Sequence, residues 1–349
     1  MASNDDWLAL TTEETLEPDL PICDPHHHLW DTGYEPGVAF RAEQVANRYL
    51  LDEILADTSS GHNVVSTIFI ECASMYKSTG PEALRPVGET EFVNGIAAMS
   101  ASGQYGPTRV AAGIVGFADC NLGDAVGEVL DAHIAAGCGR FRGIRHAGGW
   151  DASPDVRNSH THPEPGMFRD ATFRAGFAQL APRNLSFEGW CYHTQLADLT
   201  DLARAFPDTT IILNHFGGPL GIGPYEGTRE QNLPQWRSDI DELAKCKNVV
   251  AKLGGINMKV NGFNWHKQAK PPTSEELAAA TRVYYEHCID RFGADRCLFE
   301  SNFPVDKVTC SYNVLWNTFK RIANGCSASE KGALFHDTAA RVYRIDGNA

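Results

Sequence analysis

The chain has 349 residues, 43% of them hydrophobic, and its 30 basic and 44 acidic side chains give a formal net charge of −14. This length supplies a sizeable core in one large domain or two ordinary ones. Because no run of Lys or Arg stands out, nucleic acid and anionic membrane surfaces are excluded as expected partners. A small-molecule substrate is expected instead, and it can be anionic, since a local cluster of cations can outweigh a distant net charge.

The cysteines and the hydropathy pattern indicate where the protein works. The ten cysteines include no C-x-x-C pair, and the N-terminal region has no apolar stretch typical of a signal peptide. No apolar run approaches the ~20 residues that a bilayer-spanning helix needs. We therefore expect reduced thiols, a cytoplasmic location and no membrane association.

Eight short apolar runs rich in β-branched residues follow one another along the chain and are typical of strands. Between them, apolar residues recur at helical spacing, as Leu196, Leu199 and Leu202 do. Eight strand–helix repeats predict an α/β fold, the (β/α)8 TIM barrel. The predicted strands are Ile22–His28, Val64–Glu71, Val110–Phe117, Phe141–His146, Leu185–His193, Thr210–His215, Val249–Leu253 and Cys297–Phe303.

The connecting segments support a barrel over its main rival. Segments that enter the predicted strands are short, whereas those that leave them are mostly long, as the loops after strands form the catalytic face of a barrel. A doubly wound open sheet would need a glycine-rich first turn for phosphate, and no G-x-G-x-x-G follows a strand. We expect an N-terminal extension over residues 1–20, a single barrel domain over residues 21–349, and two closing helices, Ser311–Ala323 and Ser329–Tyr343.

Five of the 13 histidines fall at the C-terminal ends of predicted strands. These ends converge on one mouth of a barrel. A buried imidazole needs a polar partner, so packing alone does not explain the clustering. His26 and His28 alternate along the first strand and share one face, which makes them a pair of candidate metal ligands. The five residues are His26, His28, His146, His193 and His215.

The strand-end motifs, taken together, resemble the amidohydrolase superfamily, in particular its branch of small lactonases and decarboxylases. The resemblance covers the chain from about Pro21 to the C-terminus. Its motifs begin at the predicted strand ends and read DPHHHLW from Asp24, FRGIRH from Phe141, YHTQ from Tyr192, NHFGGP from Asn214, VAKLGG from Val250 and FESNFP from Phe299.

The resemblance implies a site that opens a lactone or a similar cyclic ester. It implies His26, His28 and His193 as ligands of one divalent metal, zinc or manganese, and His215 beside the attacking water or the oxyanion. The fourth strand carries no lysine to bridge a second metal, so we expect at most one. Arginine suits a substrate carboxylate or carbonyl oxygen, and aromatic loop residues suit a ring. The expected substrate-binding residues are Arg145, His146, Trp30, Tyr76 and Trp265.

The eighth strand departs from the family pattern, because Asn302 occupies the position of a metal-binding aspartate that acts as general base. An amide cannot take a proton from water and is a weaker, neutral ligand. Three interpretations stay open. Asn302 is a carbonyl ligand; another acid, such as Glu71, Glu300 or Asp306, is the base; or the site is metal-free and the histidines act on substrate directly. His215, Asn302, Glu71 and Asp306 are thus the catalytic candidates.

Other functions remain on the same fold. A metal-dependent decarboxylase of an aromatic-derived acid is the first alternative, although Asn302 argues against it, and hydrolysis of a ring amide is the next. A barrel that lost its base could also serve as a small-molecule binding protein. Two further expectations are that the buried Lys252 either pairs with a carboxylate such as Glu188 or lines the site, and that apolar barrel helices permit a homo-oligomer.

Overall fold

A computed structural model of the protein describes residues 4–31 and 47–345. It contains an eight-stranded parallel sheet in which each strand neighbours the next one along the chain. The first strand also meets the segment after the eighth, where the His28 amide donates to the Phe303 carbonyl at 2.8 Å. The predicted barrel is therefore confirmed. Its strands are β1 Pro21–His27, β2 Asn63–Ile70, β3 Arg109–Gly116, β4 Phe141–Arg145, β5 Ser186–Gly189, β6 Ile211–Leu213, β7 Val249–Leu253 and β8 Cys297–Phe299.

A helix follows every strand. The four-residue helix Asp5–Leu8 precedes the barrel, and Trp30–Asp31 pairs antiparallel with Arg48–Tyr49. The second predicted closing helix is three consecutive pieces, Ala328–Gly332, a π-helical turn Ala333–Asp337, and Thr338–Val342. The main helices are α1 Leu51–Thr58, α2 Val87–Ala101, α3 Val126–Ala136, α4 Ala171–Phe177, α5 Leu196–Ala205, α6 Arg229–Ala244, α7 Ser274–Phe292 and α8 Tyr312–Ile322.

Alternation along the strands divides the apolar core into two layers. Phe69 of β2 belongs to the large layer between the sheet and the helices, whereas Ile68 and Ile70 belong to a smaller layer on the other face of the sheet. Val342 and Tyr343 from the last helical segment pack into this smaller layer. The chain thus fills the barrel from one end and leaves the C-terminal ends of the strands for other groups.

The N-terminal extension packs on α8. The Asn317 side chain accepts a hydrogen bond from the Leu16 amide at 2.9 Å, and the Lys320 ammonium donates to the carbonyls of Leu16 and Glu17 at 2.7 and 2.8 Å. Within the part of the chain that the structure describes, no helix combines the length and apolar character needed to cross a membrane.

Candidate active site

A cavity of about 380 Å³ opens at the C-terminal ends of the strands. Four of its lining side chains are almost fully buried and stand at or just after strand ends: His28 after β1, Arg145 at the end of β4, His215 after β6 and Asn302 after β8. Four different strands thus bring these polar groups to one place, which is the usual location of an active site in this fold.

Glu300, the first residue after β8, connects two of the predicted site histidines. Its Oε1 is hydrogen-bonded to Nδ1 of His215 at 2.6 Å, and its Oε2 lies 2.6 Å from Nδ1 of His26, off the ideal hydrogen-bond direction. The His26 and His215 ring centroids are 4.6 Å apart. A carboxylate that accepts from Nδ1–H leaves Nε2 of a neutral ring unprotonated. Glu300 therefore sets how the His215 ring presents its second nitrogen, and its other oxygen lies close to the His26 ring.

Burial keeps these rings neutral. It lowers the pKa of His26 and His215 well below the usual value, and the neighbouring cations Lys252 and Arg145 lower it further. Burial acts on the Glu300 carboxyl in the opposite sense and raises its pKa to about 8, although Lys252 opposes this shift. Neutral imidazoles are the form that can accept a proton or bind a metal ion.

His28 and Asn302 present two acceptor atoms to each other. Nδ1 of His28 lies 2.8 Å from the Ile70 carbonyl, which can only accept, so it carries the hydrogen. Its Nε2 is then a lone pair, and it lies 3.3 Å from Oδ1 of Asn302. The Asn302 amide is oriented by Asp306, because its Nδ2 donates to Oδ1 of Asp306 at 3.0 Å. A cation or a proton donor would satisfy both acceptors.

Arg145 is held by Glu71 rather than free in the cavity. Its Nε donates to Oε1 of Glu71 at 2.7 Å, its Nη2 donates to the Glu71 carbonyl, and its Nη1 lies 3.4 Å from Nε2 of His26. His160, from the loop after β4, is 3.1 Å from the other Glu71 oxygen. Burial raises the pKa of Glu71, but His160 and Arg145 outweigh it and lower that pKa below its usual range. Both Glu71 oxygens are thus occupied, an arrangement that fits an anchor better than a general base.

Two predicted histidines lie away from this cluster. β4 ends at Arg145, so alternation turns His146 outward, where it packs against Phe117 and Phe173 and not against the cavity. This corrects the expectation that His146 binds substrate. β5 ends at Gly189, four residues before His193, whose Nδ1 accepts from the Leu220 amide at 3.3 Å. The role of His193 as a metal ligand therefore stays a prediction that the cluster geometry does not favour.

Of the remaining residues predicted for the site, one lines the cavity and three do not. Trp30 lines the cavity, whereas Trp265 stacks on Phe263 at 5.9 Å and the half-buried Tyr76 is not among the described residues that line the cavity. Asp306 is fully buried behind Asn302 and does not line the cavity, and burial raises its pKa to about 8. Asp306 is thus placed to orient Asn302 rather than to meet substrate.

Sequence reasoning found one buried ion pair and missed several loop residues. Lys252 of β7 faces Glu188 of β5, with Nζ 2.9 Å from Oε2, so that predicted pairing is confirmed. The sequence indicates Glu300 only as a possible base, and it does not predict that this residue contacts two imidazoles. The loop side chains have no periodicity that marks them. Those that line the cavity include Arg157, His160, Trp190, Tyr192, Lys259, His266 and Lys267.

The donor set of the cluster fits a divalent metal. Among residues 4–31 and 47–345, one potential ligand atom from each of His26, His215 and Glu300 lies within 4.8 Å of the others. Nε2 of His28 and Oδ1 of Asn302 add two more acceptors beside them. Imidazole nitrogen with carboxylate or carbonyl oxygen suits zinc or a similar first-row ion.

A (β/α)8 barrel with buried histidines and an acid at the C-terminal ends of its strands is typical of barrel hydrolases. A family profile described as amidohydrolase matches residues 23–345. The chain belongs to this amidohydrolase family, which indicates an enzyme of hydrolase type.

Individual relatives agree with this assignment. An uncharacterized protein, y4mH, of Sinorhizobium fredii is 38% identical over 338 residues, covering 94% of this chain and 99% of that protein. An L-fucono-1,5-lactonase of Burkholderia multivorans is 26% identical over 281 residues, covering 76% and 86%. Crystal structures of an amidohydrolase from Burkholderia multivorans, one with bound HEPES and one with bound zinc, cover 93% of this chain and 99% of theirs. Their TM-scores are 0.70 and 0.68, at 23% and 24% identity.

Proposed function

We propose that the protein is a hydrolase that opens a lactone or a similar cyclic ester of a carboxylate-bearing small molecule. The observation that carries this proposal is the neutral, buried His215, which lines the cavity while its Nδ1 is hydrogen-bonded to Glu300. A base held by a second group is the usual arrangement for removing a proton from water. The similarity to a lactonase at 26% identity supports the same reaction class.

His215 is the proposed base in place of the missing aspartate. Its Nε2 would accept the proton of the attacking water, and Glu300 would stabilise the imidazolium that forms, because it accepts from Nδ1. Asn302 has an amide that cannot take this proton, so its role would be to orient water or the ester through Oδ1. Arg145, fixed by Glu71, would place positive charge beside the developing oxyanion.

A divalent metal would be held by His26 and His28, with Asn302 as a carbonyl ligand. When bound, such a metal acts as a Lewis acid that polarises the ester carbonyl. Nε2 of His28 is unprotonated because Nδ1 carries the hydrogen, and Nε2 of His26 faces Nη1 of Arg145, which can only donate. The Asn302 oxygen is oriented by Asp306. Arg145 lies close to the same His26 nitrogen, at 3.4 Å, so it would have to yield that atom to a metal.

The first test is lactone hydrolysis by the purified protein. A panel of aldono-1,4- and aldono-1,5-lactones is followed by acid release, with the His215→Asn variant and a matched control, His336→Asn, on the barrel exterior. We expect turnover by the wild type and the control, and a loss of about 100-fold or more in kcat for His215→Asn, the range for removal of a general base. Equal rates in all three proteins would remove His215 from the reaction.

The same preparation separates the other functions. Release of CO2 from hydroxybenzoates without acid release from any lactone would replace the hydrolase by a decarboxylase. Lactone binding without turnover would identify a binding protein. Elemental mass spectrometry before and after dialysis against a chelator gives the metal content; about one equivalent of zinc or manganese, lost together with activity, is expected if His26 and His28 hold a metal.

A further inference from the structure

The deep cations of the barrel are already neutralised by buried acids. Arg145 pairs with Glu71 at 2.7 Å, and Lys252 pairs with Glu188 at 2.9 Å. Oε1 of Glu71 and the Glu71 carbonyl take up the side edge of the Arg145 guanidinium, through Nε and Nη2, and Nη1 lies 3.4 Å from Nε2 of His26. The Arg145 edge formed by Nε and Nη2 is therefore not open to a charged group of the substrate.

The outer part of the cavity wall carries cations of a different kind. Lys259, His266 and Lys267 all come from the loop between β7 and α7, and all three line the cavity. Among the residues that the structure describes, neither lysine ammonium forms an ion pair or a side-chain hydrogen bond. Partial burial lowers the pKa of His266, and the charges of both lysines lower it further.

The charge of this rim is opposite to that of the whole protein. The chain has a formal net charge of −14. Among the described residues, however, the only acid that lines the cavity is the exposed Asp155, on the loop after β4. Exposed charges act over about 8 Å at physiological salt, so Lys259 and Lys267 act on charged groups that enter the cavity mouth. Such local charge raises the concentration of an oppositely charged ligand.

The cavity wall is largely apolar. A ring can pack there, with its reactive carbonyl toward His215 and a substituent toward the loop after β7. The wall residues that would contact such a ring are Trp190, Ile222, Val260, Val305 and Val308.

We propose that the substrate is a lactone with a second anionic group, a carboxylate or a phosphate, at the end remote from the ester, and that Lys259 and Lys267 bind this group. The proposal rests on the lactone hydrolysis proposed above and adds the position of an anionic substituent and the side chains that bind it. Lysine binds carboxylate and phosphate as a mobile point charge, which fits a rim where the substrate enters.

The test uses three six-carbon acids that differ only at C6: gluconate with a hydroxyl, glucarate with a carboxylate and 6-phosphogluconate with a phosphate. Their affinities are measured by isothermal titration calorimetry at low and high salt, for the wild type, the Lys259→Gln/Lys267→Gln variant and Lys270→Gln. Lys270 is exposed on the same loop but does not line the cavity, so its variant controls for charge alone.

We expect glucarate or 6-phosphogluconate to bind the wild type at least about tenfold more tightly than gluconate does, and the tighter of the two names the group. The double variant should lose this preference, Lys270→Gln should keep it, and high salt should weaken it. Equal affinity for all three acids, or equal losses in both variants at unchanged melting temperature, would overturn the proposal. Because binding needs no turnover, a protein that binds the anions in this way but opens no lactone refutes the hydrolase alone.

Discussion

At the scale of single residues, Glu300 lies against two histidines of the proposed active site, with one carboxyl oxygen 2.6 Å from Nδ1 of His26 and the other 2.6 Å from Nδ1 of His215. Groups that orient a catalytic or metal-binding histidine usually account for 10- to 100-fold in activity or affinity. We expect Glu300→Gln to lower kcat on a lactone by about that factor, with a smaller change in KM. Steady-state kinetics beside Glu286→Gln, an exposed acid of α7, is the measurement, and identical kcat values would show that the contact is only structural.

The sequence predicts residues of the cluster only where the alternation of a strand determines which way a side chain points. The alternation of β1 places His26 and His28 together, and it also turns His27 away, where it bonds Thr67 at 2.8 Å. The contact of His160 with Glu71 is not predictable in this way, because His160 lies in a loop whose sequence has no periodic pattern. The partners of Glu300 escape it too, since they depend on how far three strands extend.

At the scale of elements, Glu89 of α2 shapes the loop that carries Glu71. Its Oε1 accepts from the amides of Cys72 and Ser74 at 3.0 and 2.8 Å, while its buried Oε2 has no hydrogen-bond partner among the described residues. Burial, reinforced by the Glu71 charge, raises the pKa of Glu89 from 4.5 to about 8. The folded protein therefore binds this proton more tightly than the unfolded chain does.

The raised pKa of Glu89 makes the free energy of unfolding depend on pH. A raised carboxyl pKa stabilises the fold fully below about pH 4.5, and this stabilisation is lost as the pH rises through 8. The free energy of unfolding of the wild type should thus fall between pH 5 and pH 8 relative to Glu89→Gln. One pKa unit is worth about 1.4 kcal/mol, so a change of a few kcal/mol is expected. Urea unfolding at three pH values, with the exposed Glu91→Gln as control, tests it; parallel curves for wild type and Glu89→Gln would contradict it.

The elements themselves were largely predictable, and their ends less so. Eight apolar runs and the contrast of short and long loops were enough for the barrel, because both follow from which face of a strand is buried. β5 was predicted to reach His193 but ends at Gly189. Apolar residues continue through Trp190 and Tyr192, so composition suggests a strand where the backbone already turns. The predicted place of His193 in the cluster depended on the longer strand.

At the scale of the whole molecule, the N-terminal extension is joined to the barrel by a buried lysine. Lys320 of α8 is 2% exposed, and its ammonium satisfies the carbonyls of Leu16 and Glu17 and contacts Nδ1 of His62 at 2.8 Å. Lys331 contacts the same extension differently, through a solvent-accessible ion pair with Glu17 at 2.8 Å. The two lysines therefore offer a matched comparison of a buried and a surface attachment.

We expect Lys320→Met to lower the free energy of unfolding by about 2–4 kcal/mol, because it leaves two carbonyls without their donor at roughly 1–3 kcal/mol each. Methionine keeps most of the apolar stem, so lost packing contributes little. Lys331→Met should cost at most about 1 kcal/mol, as surface ion pairs do. Urea denaturation of both variants decides the matter. If the extension unfolds together with the barrel, Lys320→Met shifts a single unfolding transition to lower urea concentration. Equal losses of unfolding free energy in the two variants would mean that the buried lysine does not hold the extension to the barrel.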